Sequence, residues 1–155
     1  RCPRVSAADR PERRPAVTLR VLVADDSPAV RAALRDVLAL SGDTVVAEVS
    51  TGADAVVAAR ESRPDVVVVD VDMPGGGPDL VRVLASLDAL SRVMAHSAYD
   101  DVRTVVDVLA AGATGYVVKG LAGGDLESCV RRCAEGVLFV VAGCADQVRE
   151  RLVGG

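Results

Sequence analysis

Four consecutive valines, Val66–Val69, stand between Asp65 and Asp70 with no polar residue among them. A strand with one wet face alternates apolar and polar residues. An unbroken β-branched run therefore reads as a strand covered on both faces, as in a parallel sheet with helices on each side. Comparable runs at residues 19–24, 44–49, 92–97 and 115–118 surround it.

The segments between these runs carry helix signals with defined ends. Ser27 and Pro28 supply an N-cap and a first-turn proline ahead of Val30, Leu34, Val37 and Leu38, and Gly42 closes that helix. Thr51 caps a second from Ala53 to about Arg60, stopped by Pro64. Asp79 opens a third through Leu80, Val83, Leu84 and Leu87, and Asp101 a fourth through Val105, Val106 and Leu109 to Gly112. Gly124 and Asp125 open a fifth through Leu126, Val130 and Cys133, closed by Gly136. Five βα units in succession imply an α/β fold, a doubly wound parallel sheet with right-handed crossovers.

Residues 18–136 form that domain. Residues 1–17, rich in Arg and Pro without an apolar period, read as a disordered linker or an expression remnant. Residues 137–155 are a C-terminal linker segment with one more apolar run and a short helix pattern at Val148, Leu152 and Val153. So short a tail cannot hold a helix-turn-helix, so this chain is expected to bind no nucleic acid directly.

Composition narrows the function further. A chain of 155 residues, half of them hydrophobic, supports one real core. With no Trp, one Phe and two Tyr it lacks stacking platforms for single-stranded nucleic acid. The net charge is −4 although five arginines fall within the first seventeen residues, so the body is acidic and suited to cations rather than phosphate backbones. No apolar run approaches bilayer length, so a cytoplasmic protein without membrane contact is expected. Cys2, Cys129, Cys133 and Cys144 are too few and too unevenly placed for a disulfide scaffold. Cys129 and Cys133 could share a helix face, but reduced, buried or half-buried thiols are the simpler reading.

Ligands of an open α/β sheet bind beyond the carboxyl ends of its strands. Here the first strand ends in Asp25 and Asp26, the third in Asp70, the fourth in Ser97 and the fifth in Lys119. Each alone has an ordinary explanation as a turn acid, a cap or a solvated charge. Together on one rim they form a chemical set. Crowded carboxylates need a cation, and all-oxygen ligation suits a hard ion such as Mg²⁺. One carboxylate can then attack a phosphoryl group and become an acyl phosphate, while Ser97 and Lys119 reach the phosphoryl oxygens. This is phosphoryl transfer by positioning and electrostatics.

The motifs that carry these residues are VLVADDS at 21–27, VVVVDVDMPGGGPD at 66–79, AHSAYDD at 95–101 and AGATGYVVKG at 111–120. In order and spacing they resemble the receiver domain of two-component response regulators, from about Val21 to Gly136. The resemblance implies a phosphoacceptor at Asp70, and Mg²⁺ held by Asp25, Asp26, Asp70 and the backbone carbonyl of Asp72. It implies phosphoryl stabilisation by Ser97 and Lys119 and a switch made of Ser97 and Tyr116. It also implies a flavodoxin-like strand order 2-1-3-4-5 and a sensor histidine kinase that docks at Pro28, Arg31 and Gly120. The role is that of a signalling domain rather than an enzyme, with room for a homodimer on phosphorylation. AGATGYVVKG followed by DLESCVRRCAEGVLFV is similar to the receivers of NarL/FixJ-type regulators, whose tail leads into a LuxR-like helix-turn-helix. Transcription would then be controlled through an output domain outside this chain.

Several residues carry narrower expectations. Gly120 stands where many receivers have a proline, and Gly75, Gly76 and Gly77 imply a flexible loop after Asp70. Tyr116 is expected to face solvent and turn inward on phosphorylation. His96 reads as a strand residue with a satisfied ring, and Tyr99 as surface packing or a gate for hydrolytic water. The Asp72 carboxylate could orient water or repel a phosphodonor. Val137–Val141 could pair with another chain or pack on its own domain.

Three other readings use the same residues. A haloacid-dehalogenase-type phosphatase fits Asp70 and Asp72, but its acidic pair should follow the nucleophile. An FMN carrier needs a phosphate-cradling loop where Asp25 and Asp26 would repel phosphate. A receiver-like interaction module that is never phosphorylated has no need of the intact acidic set.

Overall fold

The valine run lies in the middle of a six-stranded sheet in the computed structural model, which describes residues 18–122 and 125–154. The elements run β1 (Arg20–Ala24), α1 (Pro28–Leu40), β2 (Thr44–Val49), α2 (Gly52–Ser62), β3 (Val66–Val69) and α3 (Pro78–Leu87). They continue β4 (Arg92–Ser97), α4 (Val102–Ala110), β5 (Gly115–Val118), α5 (Leu126–Ala134), β6 (Phe139–Val141) and α6 (Ala145–Val153). All neighbouring strands are parallel, in the order β2-β1-β3-β4-β5-β6. The expected order 2-1-3-4-5 is observed, and β6 extends it beyond β5. Residues 1–17 and Gly124 lie outside the described residues.

Alternation along β3 explains why all its positions are apolar. Val66 and Val68 pack with Leu34 and Leu38 of α1 and Val130 and Cys133 of α5. Val67 and Val69 pack on the other face with Ala55 of α2, Val81 and Leu84 of α3 and Val105 of α4. Burying each valine contributes about 1.5–3 kcal/mol relative to exposure, so a polar residue anywhere in β3 would open one of two cores.

Ser27, Thr51 and Asp101 cap α1, α2 and α4 by accepting from the amides of Val30, Asp54 and Thr104. Asp79 does not open α3. That helix starts at Pro78, behind Gly77 at φ +101°, and Asp79 sits in the first turn paired with Arg82 at 2.9 Å. Proline at the first position already sets the helical φ, and the left-handed residue before it favours glycine.

Residues 139–141 pair with β5 of their own domain. Phe139 lies in register with Gly115, and its ring occupies the space a Cβ on Gly115 would need. Arg132 of α5 stands over the same ring, 5.2 Å from its centre. Val148 of α6 is buried in the layer shared with α4.

Candidate functional site

Parallel pairing brings the strand ends to one rim. Ala24 is in register with Val69, Val69 with Ala95, and Ser97 with Val118. The next residues continue the pattern. The Asp70 amide donates to the Ala24 carbonyl at 2.8 Å, and the Lys119 amide to the Ser97 carbonyl at 2.7 Å. Lys119 Nζ then stands between two buried acids, 2.9 Å from Asp25 Oδ2 and 3.1 Å from Asp70 Oδ2. Asp26 is exposed beside them. Asp25, Asp26 and Asp70 each offer a carboxylate oxygen within 4.8 Å of those of the other two.

One ammonium against three carboxylates leaves negative charge uncompensated. Among the described residues Asp25 Oδ2 is buried without a well-aligned hydrogen bond and is held by its ion pair to Lys119. An all-oxygen donor set with this excess fits a hard divalent cation such as Mg²⁺. Among the described residues no cysteine joins a comparable cluster. Cys129 and Cys133 are buried on α5 as free thiols, and burial pushes both upward, Cys133 to about 12.

Burial also pushes the Asp70 carboxyl above its usual range. The Asp72 amide, which donates to Asp70 Oδ1 at 2.9 Å, and Lys119 pull it partly back, while Asp25 adds to the rise. Such a carboxylate is more basic and so a better nucleophile. For Lys119, burial works against the charge, but pairing with Asp25 and Asp70 outweighs it and the pKa is raised.

Ser97 is fully buried at the end of β4. Its Oγ accepts from the Tyr99 amide at 3.1 Å and donates over 3.5 Å to Asp72 Oδ1. The Asp72 carboxylate therefore faces the serine, and burial raises its pKa too.

Two expectations about rings are corrected. Tyr116 does not face solvent. It is fully buried, and its hydroxyl donates to the Tyr99 carbonyl at 2.7 Å. An apolar ring with an acceptor at its polar tip has a complete buried environment, and burial lifts its pKa to about 12. His96 does not have a satisfied ring, because its buried Nδ1 finds no partner among the described residues. Its ring points into an apolar groove of about 270 Å³ lined by Val30, Leu34, Val37, Leu126, Lys119 and Gly120 among others. Burial first, then Lys119, lower its pKa to about 4.

Of the three docking positions, Pro28 is exposed at the start of α1 and Gly120 lines that groove. Gly120 has φ +87°, which a proline ring fixed near −65° cannot adopt, so the departure from the usual proline has a local reason. Arg31 is half-buried, and its Nη1 donates to the Asp25 carbonyl at 2.7 Å. Sequence reasoning missed this contact. The signal was available, since the chain turns away after Asp25 and leaves that carbonyl without a strand partner.

The loop after Asp70 is braced rather than slack. The Gly52 amide donates to the Pro74 carbonyl at 2.8 Å, and the Gly52 and Gly75 backbones meet so closely that a Cβ on Gly52 would strike the Gly75 carbonyl. The glycines permit this approach to α2.

Comparison with known proteins decides the family. A profile of the response regulator receiver domain matches residues 21–131. The chain belongs to the response-regulator receiver family. This receiver is 34% identical over 132 residues to response regulator UvrY of Escherichia coli K12, covering 84% of the chain and 61% of UvrY. It thus spans about three-fifths of that relative's length. It is 34% identical to the solved signal receiver domain of the putative response regulator NarL from Mycobacterium tuberculosis, with TM-score 0.72 over 77% of this chain and 98% of that one. A LuxR-family two-component response regulator from Aurantimonas sp. SI85-9A1 aligns at 29% identity and TM-score 0.80, over 88% of this chain and 99% of that one. Within the family the receiver is of NarL/FixJ type. Among the described residues, no helix is long and apolar enough to cross a membrane.

Proposed function

We propose that Asp70 accepts a phosphoryl group from a phosphohistidine of a sensor histidine kinase. The observation that carries this is the buried Asp70 carboxylate, one oxygen held by the Asp72 amide and the other by Lys119, beside Asp25 and Asp26. A carboxylate oxygen of Asp70 attacks phosphorus, the P–N bond breaks, and the imidazole nitrogen leaves with the electron pair. Lys119 compensates charge on one phosphoryl oxygen, and the Ser97 hydroxyl turns to donate to another. Asp25, Asp26, Asp70 and the Asp72 carbonyl would hold Mg²⁺, which would supply the charge that lets an anion approach three carboxylates.

Ser97 and Tyr116 act as the switch. When Ser97 turns, the Tyr99 amide loses its acceptor while Tyr116 still holds the Tyr99 carbonyl, so the loop moves against a ring already in place. The kinase docks around Pro28, Arg31 and Gly120, beside the apolar groove. The phosphorylated form pairs with a second copy and acts on transcription through an output domain outside this chain, in the cytoplasm. The chain is a phosphoacceptor and signalling domain rather than an enzyme.

Labelling with radioactive acetyl phosphate and Mg²⁺ tests the reading. Retained label that disappears in Asp70→Ala is the expected result. Label persisting on another residue overturns the site assignment. Rapid release of phosphate without retained label would point to a phosphatase, and no reaction at all to a pure interaction module.

A further inference from the structure

The loop between β4 and α4 is tied to two other parts of the molecule. Tyr99 donates its amide to Ser97 Oγ at 3.1 Å, and its carbonyl accepts from the Tyr116 hydroxyl at 2.7 Å. The next residue, Asp100, reaches away from the site. Its Oδ2 accepts from the Gly143 amide at 2.8 Å and its Oδ1 from the Cys144 amide at 2.9 Å, the two amides that precede α6. Asp100 is not needed by its own helix, because Asp101 caps α4. Position 143 is fitted to the contact, since a Cβ there would collide with Asp100 Oδ2. The Cys144 amide, first among its partners, holds the Asp100 carboxyl below its usual range. Val148 anchors the body of α6 in the core independently.

We infer that Asp100 is a latch through which loading of Asp70 reaches the C-terminal helix. Drawing the Ser97 hydroxyl to a phosphoryl oxygen frees the Tyr99 amide, residues 98–100 shift, and Asp100 releases the Gly143 and Cys144 amides. The first turn of α6 then opens while Val148 stays in place. An exposed fork suits this task, because water can replace the amide bonds when they part. The inference rests on Asp70 as phosphoacceptor and adds a route by which the signal leaves.

Amide hydrogen exchange read by NMR on the full chain, with and without beryllofluoride and Mg²⁺, tests it. In the unsubstituted protein, the Gly143 and Cys144 amides should exchange about tenfold faster on loading. In Asp100→Ala they should exchange fast in both states, while resonances of Asp70 and Lys119 still report full loading. Gly143→Ala, which pries the carboxylate away with Asp100 intact, should leave the Cys144 amide equally indifferent to loading. Loading that leaves both amides unchanged in the unsubstituted protein overturns the latch, and so does a loading response that survives in Asp100→Ala. Failure of beryllofluoride to perturb Asp70 even in the unsubstituted protein overturns the phosphoacceptor reading and the latch with it.

Discussion

Arg31 reaches back from α1 to hold the carbonyl of Asp25, 2.7 Å from its guanidinium. The contact makes an arginine expected only at the docking face a support of the acidic loop as well. A charge-assisted hydrogen bond contributes about 1.5–3 kcal/mol, and half-exposure reduces that. Arg31→Gln should therefore cost about 1 kcal/mol in urea unfolding and slow labelling by acetyl phosphate, a donor that needs no docking. Arg31→Lys should restore part of both. Arg31→Glu should impair both kinase and acetyl phosphate reactions in a folded protein.

Asp70 sets function against stability. Its folded pKa is raised, so the unfolded chain ionises it more readily. The anion costs stability above the unfolded pKa, and that cost is relieved as pH falls through the raised folded value. Asp70→Asn should then gain about 1 kcal/mol at pH 7 without metal, and the gain should vanish in acid. Mg²⁺ should narrow the gap by binding the native acids. Urea melts at neutral and acid pH, with EDTA or Mg²⁺, check all three.

His96 gives a second pH dependence. Its pKa is lowered from 6.5 to about 4 in the folded protein, so the unfolded state takes up the proton first. Stability is lost as pH falls below the unfolded value and stops falling below the folded one. The whole loss amounts to about 3 kcal/mol. His96→Leu should lack this slope, so its melting temperature relative to the native protein should rise steadily from pH 7 to pH 4.

Gly52 should not tolerate a methyl group. Gly52→Ala drives a Cβ into the Gly75 carbonyl and must displace the loop that carries Asp72. A loss of about 1–3 kcal/mol is expected from overpacking, together with slower labelling of Asp70. A variant with native stability and native labelling rate would show that the loop gives way freely.

What was legible in the sequence followed from period and register. Unbroken valines set a doubly covered strand, and parallel pairing then had to bring Asp25, Asp70, Ser97 and Lys119 to one rim. Caps at Ser27, Thr51 and Asp101 could be read because they act within three residues. The rest depended on side-chain directions between distant elements. The inward Tyr116 needs the Tyr99 carbonyl as its acceptor, and the buried Nδ1 of His96 finds no partner among the described residues where apolar side chains of α1 and α5 line its groove. Nor does periodicity show that Asp100 spends both oxygens on amides more than forty residues away.

The seat of Phe139 on Gly115 bears on how such a domain can be recombined with others. The segment matched by the family profile stops within α5, yet the sheet is not closed there. A fusion joined directly after α5 would expose the β5 edge and leave the recess over Gly115 unfilled, inviting a foreign strand or a second chain to take its place. A junction downstream of Val148 keeps β6 and the anchored part of α6 with the sheet they complete. The structural unit is therefore longer than the segment the family profile matches, and swapped outputs should be grafted beyond α6.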